Sequence, residues 1–198
     1  MKSVLISIQP KWCELIASGK KTVEIRKTKP KTYTPFKVYI YQTKKPVSVS
    51  FSGTGRHISE YDKTCYFNER SGKVIGEFVC NAVEHYTSNC TVFESVLLPS
   101  PSELEEMCLT LDEFNTYGTR GKLLYGWHIS DLVIYDKPKE LSEFITICPR
   151  WEKEYFDTEC LHCKYYFSNC ADMRHECTVE GEKPLTRPPQ SWCYVDTQ

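Results

Sequence analysis

The sequence predicts an α+β fold in two units: a small mixed β-barrel with short flanking helices, and a small cysteine-ligated metal module. Segments of strand composition outnumber helical ones, and they do not alternate with long helices as a doubly wound sheet requires. Five of the eleven cysteines fall within the last 39 residues, a density typical of a metal module. We therefore place a boundary near residue 148, giving units 1–147 and 148–198.

The N-terminal elements follow from apolar periodicity and punctuating residues. Val4–Ile8 predicts a first strand, and Pro10 suits the first position of a helix that runs to Ser18. Gly19 ends this helix, and Thr22–Arg26 predicts the second strand.

The later elements are read in the same way. Strands are expected at Lys37–Tyr41, Val74–Val83 and Leu123–Tyr135, with a long irregular insertion over residues 44–72. Two capping boxes, Ser102 to Glu105 and Thr110 to Glu113, predict two short helices between the last two strands.

Composition limits the classes of protein that the chain can represent. With 198 residues and 40% apolar residues it can form a core, and its apolar runs are far shorter than the roughly 20 residues of a membrane span. We expect a cytoplasmic protein with no membrane partner. The net charge of −1 conceals a net +9 over residues 1–50, which fits either a phosphate-binding face or a solvated lysine-rich surface.

The octet Gly19–Arg26 carries the densest cluster of chemical groups. In a strand, Val23 and Ile25 would enter the core while Glu24 and Arg26 project from the opposite face, with Lys21 at the turn before them. A lysine, a carboxylate and a guanidinium in one place can bind an anion, orient a polar heterocycle or move a proton. The alternative, without any role in ligand binding, is a ladder of ion pairs on the protein surface.

The same residues resemble a known family. Ile8-Gln9-Pro10, Trp12, Ile16 and the octet are similar to the opening of the ASCH domain, whose signature G-x-K-x-x-E-x-R is complete at Gly19, Lys21, Glu24 and Arg26. Residues 126–141 resemble the last strand and exit of ASCH proteins common in phages. The resemblance covers residues 1–147.

This resemblance implies a β-barrel of the PUA-like superfamily, whose relatives bind RNA or modified bases. Some ASCH proteins are enzymes, including an amidohydrolase acting on N4-acetylcytidine and a ribonuclease. By analogy with that hydrolase, Lys21 and Glu24 would be catalytic, although the hydrolase has threonine where this chain has Glu24. A second acid would come from Glu105 or Glu106.

A binding module would use the same groups without turnover. Arg26 would hold a phosphate or base edge, while Trp12, Trp127 or Tyr125 would stack on a base and His128 would donate to the ligand. Trp12, Trp127 and His128 also fit core or supporting roles.

The C-terminal cysteines predict a tetrahedral metal site. Cys160 and Cys163 form a C-x-x-C pair, and Cys177 and Cys193 complete the preferred set, with Cys170 as the alternative ligand. Zinc is the expected metal, and an iron–sulfur cluster would use the same ligands.

Together these observations predict a protein that binds RNA or a modified nucleoside through Lys21, Glu24 and Arg26. The alternatives are an amidohydrolase acting on N4-acylated cytidine, a ribonuclease, or a phage-encoded module that binds a host protein.

Overall fold

The computed structural model describes residues 3–44, 50–52, 55–57, 69–87, 98–118, 123–146, 166–169, 174–177 and 183–197. Its helices are α1 (Pro10–Ala17), α2 (Pro101–Met107) and α3 (Leu111–Tyr117), with a 3-10 turn at Leu141–Glu143. In these ranges no helix has the length and hydropathy needed to cross a membrane.

Twelve strands are assigned in the described ranges. They are β1 (Ser3–Ile8), β2 (Val23–Arg26), β3 (Phe36–Gln42), β4 (Ser50–Ser52), β5 (Gly55–His57), β6 (Val74–Thr87), β7 (Leu123–Lys139), β8 (Phe144–Thr146), β9 (Tyr166–Asn169), β10 (Arg174–Cys177), β11 (Lys183–Pro184) and β12 (Trp192–Thr197).

Eight of these strands form one mixed sheet in the order β11-β8-β12-β1-β3-β6-β7-β2. β1 pairs in parallel with β3 and antiparallel with β12. Two separate antiparallel pairs, β4 with β5 and β9 with β10, complete the described strands. The mixed α+β class predicted from the sequence is therefore confirmed.

The sheet is not closed into the expected barrel. In the described part of the chain β2 and β11 lie at opposite edges and are not paired with each other. Closure of β2 onto β1 is blocked because β1 already bonds to β3 on one side and to β12 on the other. Three register shifts interrupt the long β6–β7 ladder, and bulges at such positions increase the local twist of a strand pair.

Three hydrophobic clusters hold the sheet and helices together. The first packs α1 through Cys13 and Ile16 against strands β1, β3 and β6, with Trp127 of β7 fully buried inside it. The second lies around Leu5, Tyr39, Tyr41 and Phe144. The third joins β2 to the two later helices through Val23, Ile25, Met107 and Phe114.

The later helices differ in one detail from the sequence prediction. Thr110 caps α3 and forms the expected box with Glu113, whereas α2 is capped by Ser100 with Glu103 rather than by Ser102 with Glu105. Pro101 explains the earlier start, because a proline is suited to the first helical position and Ser100 precedes it.

The C-terminal strands bear on the predicted boundary at residue 148. β11 and β12 belong to the main sheet, where β12 pairs with β1 and β8. Both ends of the stretch between β8 and β11 therefore attach to neighbouring strands of this sheet. Whether residues within that stretch form a separate metal module remains a prediction.

Candidate functional site

The turn between α1 and β2 fixes Lys21 at the edge of the sheet. Gly19 adopts a φ of 72°, a conformation that favours glycine, and the amides of Lys20 and Lys21 both donate to the Leu15 carbonyl. The backbone reverses within three residues of the end of α1. Lys21 is thereby directed inward, and it is only 3% exposed.

β2 separates its side chains between two faces, as the sequence predicted. Val23 and Ile25 pack into the third cluster with Met107 and Phe114. Glu24 and Arg26 lie on the opposite face, yet both are buried as well, at 6% and 8% exposure.

Lys21, Glu24 and Arg26 form one connected group, which we call the charged triad. Arg26 Nη2 lies 2.9 Å from Glu24 Oε1, and Lys21 Nζ lies 3.5 Å from Glu24 Oε2. Each cation also donates to a backbone carbonyl: Lys21 Nζ to Met107 O at 2.6 Å, and Arg26 Nη2 to Ser7 O at 2.7 Å. The triad thus joins β1, β2 and α2, so it is not a surface ladder of ion pairs.

Burial changes the protonation of Lys21. Desolvation lowers the pKa of its amine, because burial disfavours the charged form, while the adjacent Glu24 carboxylate opposes that shift. Lys21 is therefore a buried amine that loses its proton more readily than an exposed lysine does.

A cavity of about 1010 Å³ opens onto the triad. Its inner wall is made by buried residues of β1 and of the segment from the turn through β2: Ser7, Ile8, Lys21, Glu24, Ile25 and Arg26. Its mouth is made by exposed residues: Gln9, Asp112, Glu113, Thr116, Tyr117 and Gln190. The volume lies near the upper end of the range of small-molecule sites, and the polar groups of the wall converge on one region.

Two aromatic residues line this cavity, and a lysine lies over each ring. Trp12 has Lys11 Nζ at 4.5 Å and Lys21 Nζ at 5.1 Å from its ring centroid. Tyr117 has Lys27 Nζ at 5.0 Å from its centroid and is 39% exposed. The cavity is therefore lined by two aromatic rings, each with a cation beside it.

Trp127, His128 and Tyr125 do not line the cavity. Trp127 is fully buried in the first cluster, with its ring 5.6 Å from that of Phe36. His128 Nε2 lies 3.1 Å from Glu84 Oε2, and Tyr125 packs against His85. The structure thus places Trp12 at the cavity with the triad and the other three residues away from it.

Sequence reasoning missed several residues of the cavity. Glu105 and Glu106 of α2 do not line it, whereas Asp112, Glu113 and Tyr117 of α3 do. Glu113 was identified only as a helix-capping residue, and its capping bonds with Thr110 are present. The signal that could have found Tyr117 is its helical spacing of four residues from Glu113.

The cysteines lie in different environments. Cys193 of β12 pairs in register with Leu5 and packs against the second cluster, where burial raises the pKa of its thiol to about 12. Cys177 ends β10, but its side chain, together with Cys160, Cys163 and Cys170, lies outside the described residues. Within the described ranges, no group of three or more His, Cys, Asp or Glu residues could hold a metal ion.

Comparison with known proteins identifies the family of the chain. The family model of the ASCH domain matches residues 6–195. No curated protein matches the chain. Among solved structures, the crystal structure of ASCH from Zymomonas mobilis is 23% identical and covers 71% of this chain and 74% of that chain, with a TM-score of 0.46. A tyrosine-to-phenylalanine mutant of the same protein is 21% identical over 71% of this chain and 77% of that chain, again with a TM-score of 0.46.

The match to the family model spans nearly the whole chain and includes half of β1, all of β2 and most of β12. It also contains the complete motif at Gly19, Lys21, Glu24 and Arg26, whose side chains form the triad. The chain therefore belongs to the ASCH domain family.

Proposed function

We propose that this ASCH domain binds a nucleobase or modified nucleoside in the cavity at the charged triad. The observation that carries the proposal is a cavity of about 1010 Å³ whose wall holds Lys21, Glu24 and Arg26 and which Trp12 and Tyr117 also line. A nucleobase has a flat face, which matches the aromatic rings, and an edge of hydrogen-bond donors and acceptors, which matches the charged side chains.

The charge of the cavity favours a neutral ligand over a phosphate. Among the described residues that line it, the charged side chains are two cations, Lys21 and Arg26, and three carboxylates, Glu24, Asp112 and Glu113. Their formal sum is −1, so the lining itself supplies no net positive charge to hold a phosphate. Arg26 lines this cavity, and within the described ranges its buried Nε has no hydrogen-bond partner, which leaves one donor of the guanidinium unsatisfied.

The test is calorimetric titration with cytidine, N4-acetylcytidine, uridine, adenosine and guanosine. We expect at least one of them to bind with one-to-one stoichiometry, and Arg26→Lys to weaken that binding about tenfold or more, since lysine cannot reproduce the planar donor edge. Tyr117→Leu, at the exposed mouth, gives a second variant with little risk to folding. Lys37→Ala, on the exposed Lys37–Glu77 pair, is the control. Absence of binding by all five nucleosides would overturn the proposal.

A second candidate is hydrolysis of an N4-acylated cytidine, favoured by the lowered pKa of Lys21 and its 3.5 Å contact with Glu24. The neutral Lys21 amine would accept a proton as a water oxygen attacks the acyl carbon. It would then pass this proton to N4 as the C–N bond breaks, giving a carboxylic acid and cytidine with a free N4 amine. Release of acetate from N4-acetylcytidine, abolished in Lys21→Met, is the test. Binding of N4-acetylcytidine without release of acetate would refute hydrolysis and leave nucleoside binding as the only proposed function of the cavity. Cleavage of RNA, the activity implied by ribonuclease relatives, is followed in the same variants.

A metal module remains a further proposal, together with the phage origin and a host-protein partner. Cys160, Cys163 and Cys177 with Cys193 are the proposed ligands, and Cys170 is the alternative. One observation supports Cys193: it lies on β12, which pairs with β8, the strand at which the cysteine-bearing stretch leaves the sheet. Zinc is the proposed metal, with an iron–sulfur cluster as the alternative.

A further inference from the structure

The loop that follows Arg26 carries a row of exposed lysines. Residues 27–35 connect β2 to β3, and Lys27, Lys29 and Lys31 alternate along it, all exposed. Tyr33 follows them and is 95% exposed, the most exposed large hydrophobic residue in the described ranges. We call Lys27, Lys29, Lys31 and Tyr33 the lysine strip.

This loop is anchored to the sheet. Trp192 Nε1 of β12 donates to Thr28 Oγ1 at 3.0 Å, and the Lys31 amide donates to Tyr194 Oη at 2.7 Å. Pro30, between these two contacts, is buried. The lysines therefore project from a backbone that β12 holds in place, which reduces the entropy lost when a ligand binds.

The strip begins at the cavity. Lys27 directly follows Arg26 of the triad, and its amine lies over Tyr117, which lines the cavity. Lys29 Nζ lies 5.9 Å from the ring centroid of Tyr125, the residue that pairs with Arg26 across β2 and β7. Cations and aromatic rings thus alternate from the mouth of the cavity outward along the loop.

The charges at the two ends of α3 differ in sign, which determines the side of the cavity mouth that a polyanion would approach. Asp112 and Glu113 stand in the first turn of α3, while Lys27 lies over Tyr117 in its last turn. A polyanion at the mouth is repelled by the carboxylates and attracted toward the loop.

We propose that the lysine strip binds the phosphate backbone of a single-stranded RNA from which one base enters the cavity. This rests on the proposed function, because the cavity then receives the base. Grooves that combine lysines with stacking aromatic residues are suited to single strands, and the phosphates remain outside a cavity whose own charge is negative.

The test measures fluorescence anisotropy with a labelled single-stranded RNA of about 12 nucleotides at several salt concentrations. The triple variant Lys27→Ala, Lys29→Ala, Lys31→Ala is compared with Lys73→Ala, Lys137→Ala, Lys139→Ala, which removes the same charge from β7 and from the residue preceding β6. We expect the strip variant to lower the salt dependence, the slope of log affinity against log salt, by roughly 2, and the control to leave it unchanged. Equal slopes in the two variants would overturn the inference.

Substitutions of Tyr33 distinguish the contribution of base stacking to RNA binding from that of charge. Tyr33→Ala should weaken RNA binding about fivefold or more without changing the salt slope, and Tyr33→Phe should retain binding. The nucleoside titration, repeated in the strip variant, tells the two proposals apart. If the nucleoside binds while RNA affinity is insensitive to the strip, only this inference fails; if no nucleoside binds either, the proposed function fails too. Polyglutamate that binds the strip as tightly as RNA does would overturn the assignment to RNA in favour of an acidic protein.

Discussion

Glu24 and Arg26 stand two residues apart on β2 and meet in a buried ion pair, with Arg26 Nη2 2.9 Å from Glu24 Oε1. The same carboxylate lies 3.5 Å from Lys21 Nζ, so one negative group serves two buried cations. Removing one partner of a buried pair is costly because the remaining charge is left without compensation.

Glu24→Gln should therefore lower the free energy of unfolding by about 3 kcal/mol, since glutamine keeps the shape but removes the counter-charge of Lys21 and Arg26. Urea denaturation at neutral pH measures it. Glu77→Gln is the matched control: Glu77 pairs with Lys37 at 2.8 Å, but Lys37 is 41% exposed, and such pairs contribute less than about 1 kcal/mol. Glu77 also accepts from Tyr135 Oη, and glutamine keeps an oxygen that can accept this bond. Equal losses in the two variants would contradict a special role for the triad.

The pKa of Lys21 predicts how stability changes with pH. Because burial lowers the pKa in the folded state below the ordinary 10.5, the unfolded chain binds more protons between these two values. In this pH window the free energy of unfolding of the wild type should therefore rise relative to that of Lys21→Met, in which residue 21 has no group to titrate. Urea denaturation of both proteins at several pH values up to 10.5 measures the difference. A difference independent of pH would show that Lys21 titrates normally.

The sequence predicted the triad well because its geometry is local. A strand with period-two alternation places Glu24 and Arg26 on one face, and the glycine turn just before it brings Lys21 close to them. The alternation of Val23 and Ile25 with the charged residues is accordingly present in the structure. Burial of the triad was not predictable, because Met107 O and Ser7 O, which accept from it, are contributed by distant segments.

Long-range relationships account for the differences from the sequence prediction. A strand-rich pattern does not state which edges pair, so it could not reveal that β12 occupies the second edge of β1 and leaves the sheet open. The contribution of α3 to the cavity was missed for the same reason. Thr110 and Glu113 give a local capping signal, whereas the position of Tyr117 depends on how the helix packs through Phe114.

Trp12 and Trp127 should respond differently to substitution although they are the same residue type. Trp12 lines the cavity, so Trp12→Ala should weaken nucleoside binding roughly tenfold through lost stacking. Trp127 is fully buried against Phe36, so Trp127→Phe should reduce stability on the order of 1–2 kcal/mol and leave affinity unchanged. Calorimetric titration and urea denaturation of both variants give the four values. Loss of affinity in Trp127→Phe at full stability would indicate that Trp127 contacts the ligand.

The proposed metal module predicts that substitution of Cys177 lowers the metal content of the protein, whereas substitution of Cys80 does not. Cys177→Ser should lower the metal content of the purified protein, measured by elemental analysis, because a tetrahedral site that loses one thiolate binds its metal far more weakly. Cys80→Ser is the matched control: Cys80 is buried in the first cluster, its Sγ donates to Ala82 O, and it is not among the proposed ligands. It should retain the metal even if it loses stability.

Cys193→Ser and Cys170→Ser then identify the fourth ligand, since only the variant that lacks a ligand loses metal. Zinc leaves the protein colourless, whereas an iron–sulfur cluster absorbs visible light. A wild-type protein that contains neither zinc nor iron would refute the module.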